Sequence, residues 1–96
     1  MTLKIETNSD GRRILIRLIG RVRPEHIEEL KKQTGAKDPP IVFDMECVTL
    51  VDIEVVRFLN ACEKSGIELI HCSPYIREWM AREQVRKSTY PHHRIN

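Results

Sequence analysis

No apolar run in this chain approaches the roughly 18 residues that a membrane-spanning helix requires. The N-terminal MTLKIET carries an acidic residue and no long apolar segment, so it does not read as a secretory signal. There is no G-x-S-x-G nucleophile elbow and no glycine-rich phosphate loop. Those absences remove hydrolase and nucleotidase readings that rest on such motifs. The three cysteines, Cys47, Cys62 and Cys72, are odd in number and show no C-x-x-C spacing. They sit among apolar residues, where a free thiol behaves as a small buried hydrophobe, so reduced structural thiols and a cytoplasmic protein are expected. Net charge is only +2, too little to imply nucleic acid. The charge is uneven. Residues 82–96 set Arg82, Arg86, Lys87 and Arg94 against Glu83, a local +3, and the remainder sums to −1. Basic character thus belongs to the C-terminal tail, and such tails are usually solvated.

What is present is one small soluble domain. Ninety-six residues make a single unit with a modest core. Hydrophobic residues make up 41% and charged residues 31%, the balance of a globular protein. Leu3 to Thr7 reads as a strand, Asn8-Ser9-Asp10-Gly11 as a turn, and Arg13 to Ile19 as a second strand. On that second strand Ile14, Ile16 and Leu18 share one face, and Leu15, Arg17 and Ile19 the other. Gly20 is expected to end it. Pro24 opens a helix whose N-terminal half is crowded by Glu25, Glu28 and Glu29. Lys31 and Lys32 fall at its C-terminal end, and Gly35 stops it. Only Ile27 and Leu30 give that helix an apolar stripe. Lys37-Asp38-Pro39-Pro40 cannot be helical.

Ile41 to Asp44 is apolar without alternation, the mark of a central strand covered on both faces. A linker from Met45 to Val51 leads to Asp52, an expected N-cap whose carboxylate accepts first-turn amides. The helix it caps runs to about Lys64. Val55, Leu59 and Cys62 recur at helical spacing, and Val56 and Phe58 widen the stripe. Ser65-Gly66 ends it. Ile67 to Cys72 is a further strand. Ser73 then caps a third helix with Pro74 in its first turn, and Ile76, Trp79, Met80 and Glu83 share its packing side. Trp79 is read as core and Tyr75 as exposed. Beyond Gln84 the pattern fails, so residues 1–85 form the domain and 86–96 a flexible basic tail. The expected order is β-β-α-β-α-β-α, an α/β fold with a small mixed sheet and helices mainly on one face.

Candidate chemistry is sparse. Asp44, Glu46, Asp52 and Glu54 form an acidic run around the second helix's start, but no metal-ligand spacing supports an ion there, and no metal or other cofactor is expected. His26 lies on a charged helix face. His71 and Cys72, adjacent on a strand, would point to opposite sides. His92-His93 is a tail pair. Arg17 reads as solvent-exposed. No residue is assigned a catalytic role.

These segments resemble the STAS domain, the family of bacterial anti-sigma factor antagonists and of the cytoplasmic domains of sulfate transporters. IVFDMECVTLVD, residues 41–52, resembles that family's third strand and following loop, in which an apolar strand ends in Asp and a second Asp closes the loop. The helix Ile53 to Lys64 with SGIELIHCSP, and then SPYIREWM, is similar to the elements that follow. The likeness covers roughly residues 3–85. It implies the STAS-like, or SpoIIAA-like, fold and a non-enzymatic regulatory module that docks another protein. In the antagonist branch the closing Asp is followed by a small residue, a phosphorylatable Ser or Thr, and Gly. Asp52 matches that Asp, Ile53 the small residue, Glu54 the phosphoacceptor and Val55 the glycine. Glu54 cannot be phosphorylated and carries one charge where phosphoserine carries about −1.5 to −2. Either the switch is fixed near its modified state or there is none. Val55 is expected to put bulk in the way of a partner that approaches a glycine closely.

The docking residues implied are Val48, Thr49, Leu50, Asp52, Ile53, Glu54, Val55 and Arg57. The implied partner is a kinase-like anti-sigma factor or another signalling protein. The alternative is a structural subunit on the ATPase of an ABC-type lipid-transport complex, since the family's final strand and helix are missing after Gln84. A third reading is a small-ligand or nucleotide binder at the same helix N-terminus, against which the Glu54 charge argues by repelling phosphate. The sheet edge left by the missing strand would also invite a homodimer.

Overall fold

One long strand organises the molecule. The computed structural model describes residues 3–35 and 39–89, with side chains as far as residue 85. Strand β2 (Ile14–Val22) pairs on one side with β1 (Lys4–Ser9), antiparallel. On its other side run two parallel strands in succession, β3 (Ile41–Asp44) and β4 (Val48–Val51). Strand β5 (Glu68–Ile70) adds to β3, again parallel. The result is a five-stranded mixed sheet in the order β1-β2-β3-β5, with β4 on β2. Helices α1 (Ile27–Gln33), α2 (Ile53–Lys64) and α3 (Pro74–Thr89) complete the fold, with a short 3-10 turn (Pro24–His26) leading into α1.

The hairpin turn is built by Asp10, whose Oδ1 accepts the amides of Arg12 at 2.9 Å and Arg13 at 2.8 Å. Residues paired across strands share a face, so the register sorts the sheet's side chains. Thr7, Ile16, Phe43 and Leu69 form one cross-strand row. Ile16, Phe43 and Leu69 are buried beside Ile41 and Leu18 under Leu30 of α1, Val55, Val56, Leu59 and Cys62 of α2, and Ile76 and Met80 of α3. Each fully buried side chain of this size contributes about 1.5–3 kcal/mol. Glu6, Arg17, Asp44 and Ile70 form the neighbouring row, which faces away from the helices.

Much of this matches the sequence reading: the buried central strand, the α2 span, and the α3 start. Ser73 Oγ accepts the Ile76 amide at 3.3 Å and its carbonyl the Arg77 amide at 3.0 Å. Ile76, Met80 and Glu83 are buried, and Trp79 packs partly against the core.

Four expectations need correction. Gly20 does not end β2. It takes φ +109°, which a glycine adopts without a Cβ clash, and the pairing shifts there. The stretch from Met45 to Val51 is not all linker. Between Arg17↔Asp44 and Val22↔Val51, β2 advances five residues and its partner seven. One extra residue lies in the turn between β3 and β4 and the other is Thr49, at the register shift between Gly20 and Arg21, so these two strands track β2 as one interrupted strand, and the element order gains a β. The strand expected over Ile67 to Cys72 narrows to Glu68–Ile70, because His71 turns left-handed at φ +57°. Finally, α3 runs on to Thr89, past the point where a tail was expected to begin. Residues 90–96 of that tail, His92 and His93 among them, lie outside the described residues, as do Lys37 and Asp38 of the proline loop. No helix among the described residues is long and apolar enough to cross a membrane.

Candidate functional site

The β4–α2 junction carries the residues singled out for docking. Strand β4 lies at the end of β2, where Gly20 donates its amide to the Cys47 carbonyl at 3.0 Å and the Val48 amide reaches the Met45 carbonyl at 3.1 Å. Those bonds fix a chain that the sequence alone left as linker. Val51 is buried and anchors it, whereas Thr49 and Leu50 face solvent. Leu50 is 49% exposed, large for an apolar side chain on a strand. Ile53 is half-buried, and Glu54 and Arg57 are exposed. Thr49, Leu50, Ile53 and Glu54 therefore form a small accessible set at one strand-to-helix corner.

Two sequence expectations at this corner change. Asp52 occupies the N-cap position with extended backbone, and its carbonyl accepts the Val56 amide at 3.0 Å. Its carboxylate makes no hydrogen bond to the first turn. It faces Arg21 instead, Oδ1 to Nη2 at 3.7 Å, across the junction of β2 and α2. Such a half-exposed pair contributes about 0–1 kcal/mol. Val55 points into the core with no exposure, so its bulk does not face a partner and its side chain is not part of the accessible set. Arg57, on the next turn, is held by Glu83 of α3 with Nε 3.2 Å from Oε1. Among the described residues Glu54 has no such partner; its single charge stands free in the first turn, where it complements the helix dipole.

The acidic run splits in two. Asp52 and Glu54 remain at the helix start. Asp44 and Glu46 gather on the other face of the sheet with a residue the sequence did not bring to them, His71. On a continued β5, His71 would follow Leu69 to the helix side. Its left-handed backbone sends the imidazole to Asp44 instead, with Nδ1 3.0 Å from Oδ1. The same Oδ1 accepts the Glu46 amide at 3.0 Å, and Oδ2 lies 3.6 Å from Arg17 Nε. Arg17, read as simply solvent-exposed, is half-exposed and committed to this pair. Burial acts to raise the Asp44 pKa, but the Glu46 amide, the His71 hydrogen bond and the charges of His71 and Arg17 together outweigh it and hold the carboxyl below its ordinary 3.8. His71 and Cys72 do not share a strand, and no thiolate–imidazole pair is formed.

Burial pushes the Cys62 thiol up to about 12, and Cys72 is raised by the same cause, whereas Cys47 is exposed. All three are free thiols. Tyr75 is exposed, as expected, and its ring leans on Trp79 with centroids 5.9 Å apart.

No protein-family model matches the chain, and no curated protein matches it. Solved structures do. An anti-sigma factor antagonist from Mycobacterium paratuberculosis superposes with a TM-score of 0.70 at 16% identity, over 96% of this chain and 88% of that one. The anti-sigma factor antagonist SpoIIAA in its unphosphorylated form gives 0.65 at 15% identity, over 85% and 82%. A STAS-domain anti-sigma factor antagonist from Rhodobacter sphaeroides gives 0.51 at 19% identity, over 76% and 91%. The protein therefore has the STAS-like, SpoIIAA-like fold, as its β3-to-α3 segments indicated.

Proposed function

We propose, on the premise of a STAS-like fold, that this protein is a non-enzymatic regulatory module that binds another protein through the β4–α2 corner. The observation that carries the reading is the exposure of Leu50 and Glu54 beside the half-buried Ile53 at that corner, on a fold also seen in anti-sigma factor antagonists. An apolar contact at Leu50 supplies buried area, and the Glu54 charge supplies discrimination between partners. The partner class is an anti-sigma factor or a related signalling kinase. Glu54 stands at the phosphoacceptor position and cannot exchange charge states by phosphorylation, so the module has one fixed charge setting.

The test is affinity capture from the source cell's extract, followed by titration of the purified partner against wild type, Leu50→Asp and Glu54→Lys. A signalling partner whose affinity falls at least tenfold in both variants supports the reading. Equal binding by all three moves the interface elsewhere. Capture of a transport ATPase by all three assigns the protein to an ABC-type lipid-transport complex instead.

A further inference from the structure

Asp44, Glu46 and His71 come from the end of β3, the turn after it and the residue after β5, and their donor atoms all lie within 4.8 Å of one another. We propose that these three side chains bind one divalent transition-metal ion of the zinc type, through Asp44 Oδ1, Glu46 Oε1 and His71 Nδ1.

The geometry is close to what such an ion requires. Zinc bonds to nitrogen and carboxylate oxygen are about 2.0–2.2 Å, which sets tetrahedral ligands roughly 3.3–3.6 Å apart. His71 Nδ1 stands 3.0 Å from Asp44 Oδ1 and 3.9 Å from Glu46 Oε1, one a little shorter than that range and one a little longer. The side chains of Glu46 and His71 are 65% and 57% exposed, free to rotate into place and leaving the fourth position to water. The Asp44 side chain is 4% exposed and fixed. Its Oδ2 is turned to Arg17 and its Oδ1 is braced by the Glu46 amide, the outer support that orients a ligating carboxylate.

Charge and donor type agree. The two carboxylates outnumber the Arg17 guanidinium nearby, so a dication is attracted to the site despite that arginine. One imidazole and two carboxylates suit zinc or manganese and lack the thiolate that would favour copper(I). The ion takes the place of the proton that Nδ1 shares with Asp44, so affinity falls as pH falls. A bound ion would tie the end of β5 to the turn that precedes β4.

The experiment is calorimetric titration of Zn²⁺ into the full chain, using wild type, His71→Asn, Glu46→Gln and Cys47→Ser, with amide NMR spectra of each. Asparagine tolerates the left-handed backbone, and both ligand changes are at exposed positions, so the fold should persist in the spectra. The expected result is one ion per chain, shifts at Glu46 and His71, affinity at least tenfold weaker in His71→Asn and Glu46→Gln, and no change in Cys47→Ser. Absence of wild-type binding overturns the proposal. So does binding that survives both ligand changes or is lost with Cys47, since the ion would then sit on thiols or on His92-His93.

Discussion

Asn60 of α2 reaches the backbone of α3. Its Nδ2 donates to the Met80 carbonyl at 3.0 Å, and its Oδ1 accepts from Gln84 Nε2 at 2.7 Å. Asn60 is buried on the apolar side of α2, beside Leu59 and Val56. A polar group there is tolerable only because both ends of its amide are satisfied.

Replacing Asn60 with alanine removes both bonds and leaves a small void. The expected loss is about 1–3 kcal/mol. Urea unfolding of the variant should show a lower midpoint with an unchanged slope.

Arg57 and Glu83 form the second polar tie between these helices. The Glu83 side chain is 4% exposed while that of Arg57 is 54% exposed, so the two changes are not equivalent. Arg57→Ala strands a buried carboxylate and should cost about 1–3 kcal/mol, discounted for the solvent that reaches the guanidinium. Glu54→Ala, an exposed change one turn away, should stay within about 0.5 kcal/mol. Equal costs for the two in thermal melts would show that the α2–α3 pair does not stabilise the fold.

Asp44 makes the fold acid-sensitive in a defined direction. Its folded pKa is depressed below 3.8, so the folded state binds this proton less readily than the unfolded one. Its contribution is fully present above the unfolded value and is lost as pH falls from there through the folded pKa. In urea melts with chelator present, the stability gap between wild type and Asp44→Asn should hold from pH 7 to about 5 and shrink below about pH 4. A gap that widens on acidification would contradict the ion-pair and hydrogen-bond geometry.

The cysteines should separate by reactivity. Cys62, with its thiol near 12, offers almost no thiolate at neutral pH, and Cys72 is raised and half-buried. Exposed Cys47 should therefore be alkylated first by iodoacetamide at pH 7.5, with Cys62 last and modified only on unfolding. Peptide mapping over time reads the order.

The sequence was most legible where one local signal sufficed. The four apolar residues of β3 announce a strand buried on both faces. Asp52 followed by the Val55, Leu59, Cys62 spacing announces α2, and Ser73-Pro74 announces the start of α3. At the corner proposed for docking, exposure was legible only in part: Leu50 and Glu54 are exposed, whereas Val55 turned inward because the helix phase set by Leu59 and Cys62 places it on the core side. Strand β4 was not legible, because its middle residues face solvent and its hydrogen bonds come from the far end of β2.

The sequence by itself determined every element but β4, the apolar faces, and the absence of a hydroxyl at Glu54. Those follow from periodicity, capping and side-chain chemistry, which act over a few neighbouring residues. Only the tertiary structure decided that Asp52 faces Arg21, that Asn60 and Glu83 are buried with partners, and that Asp44 meets His71. Each of those pairings spans twenty positions or more. Strand register, the Gly20 bulge and the left-handed turn at His71 bring them together, and these are set by packing between elements rather than within any one of them.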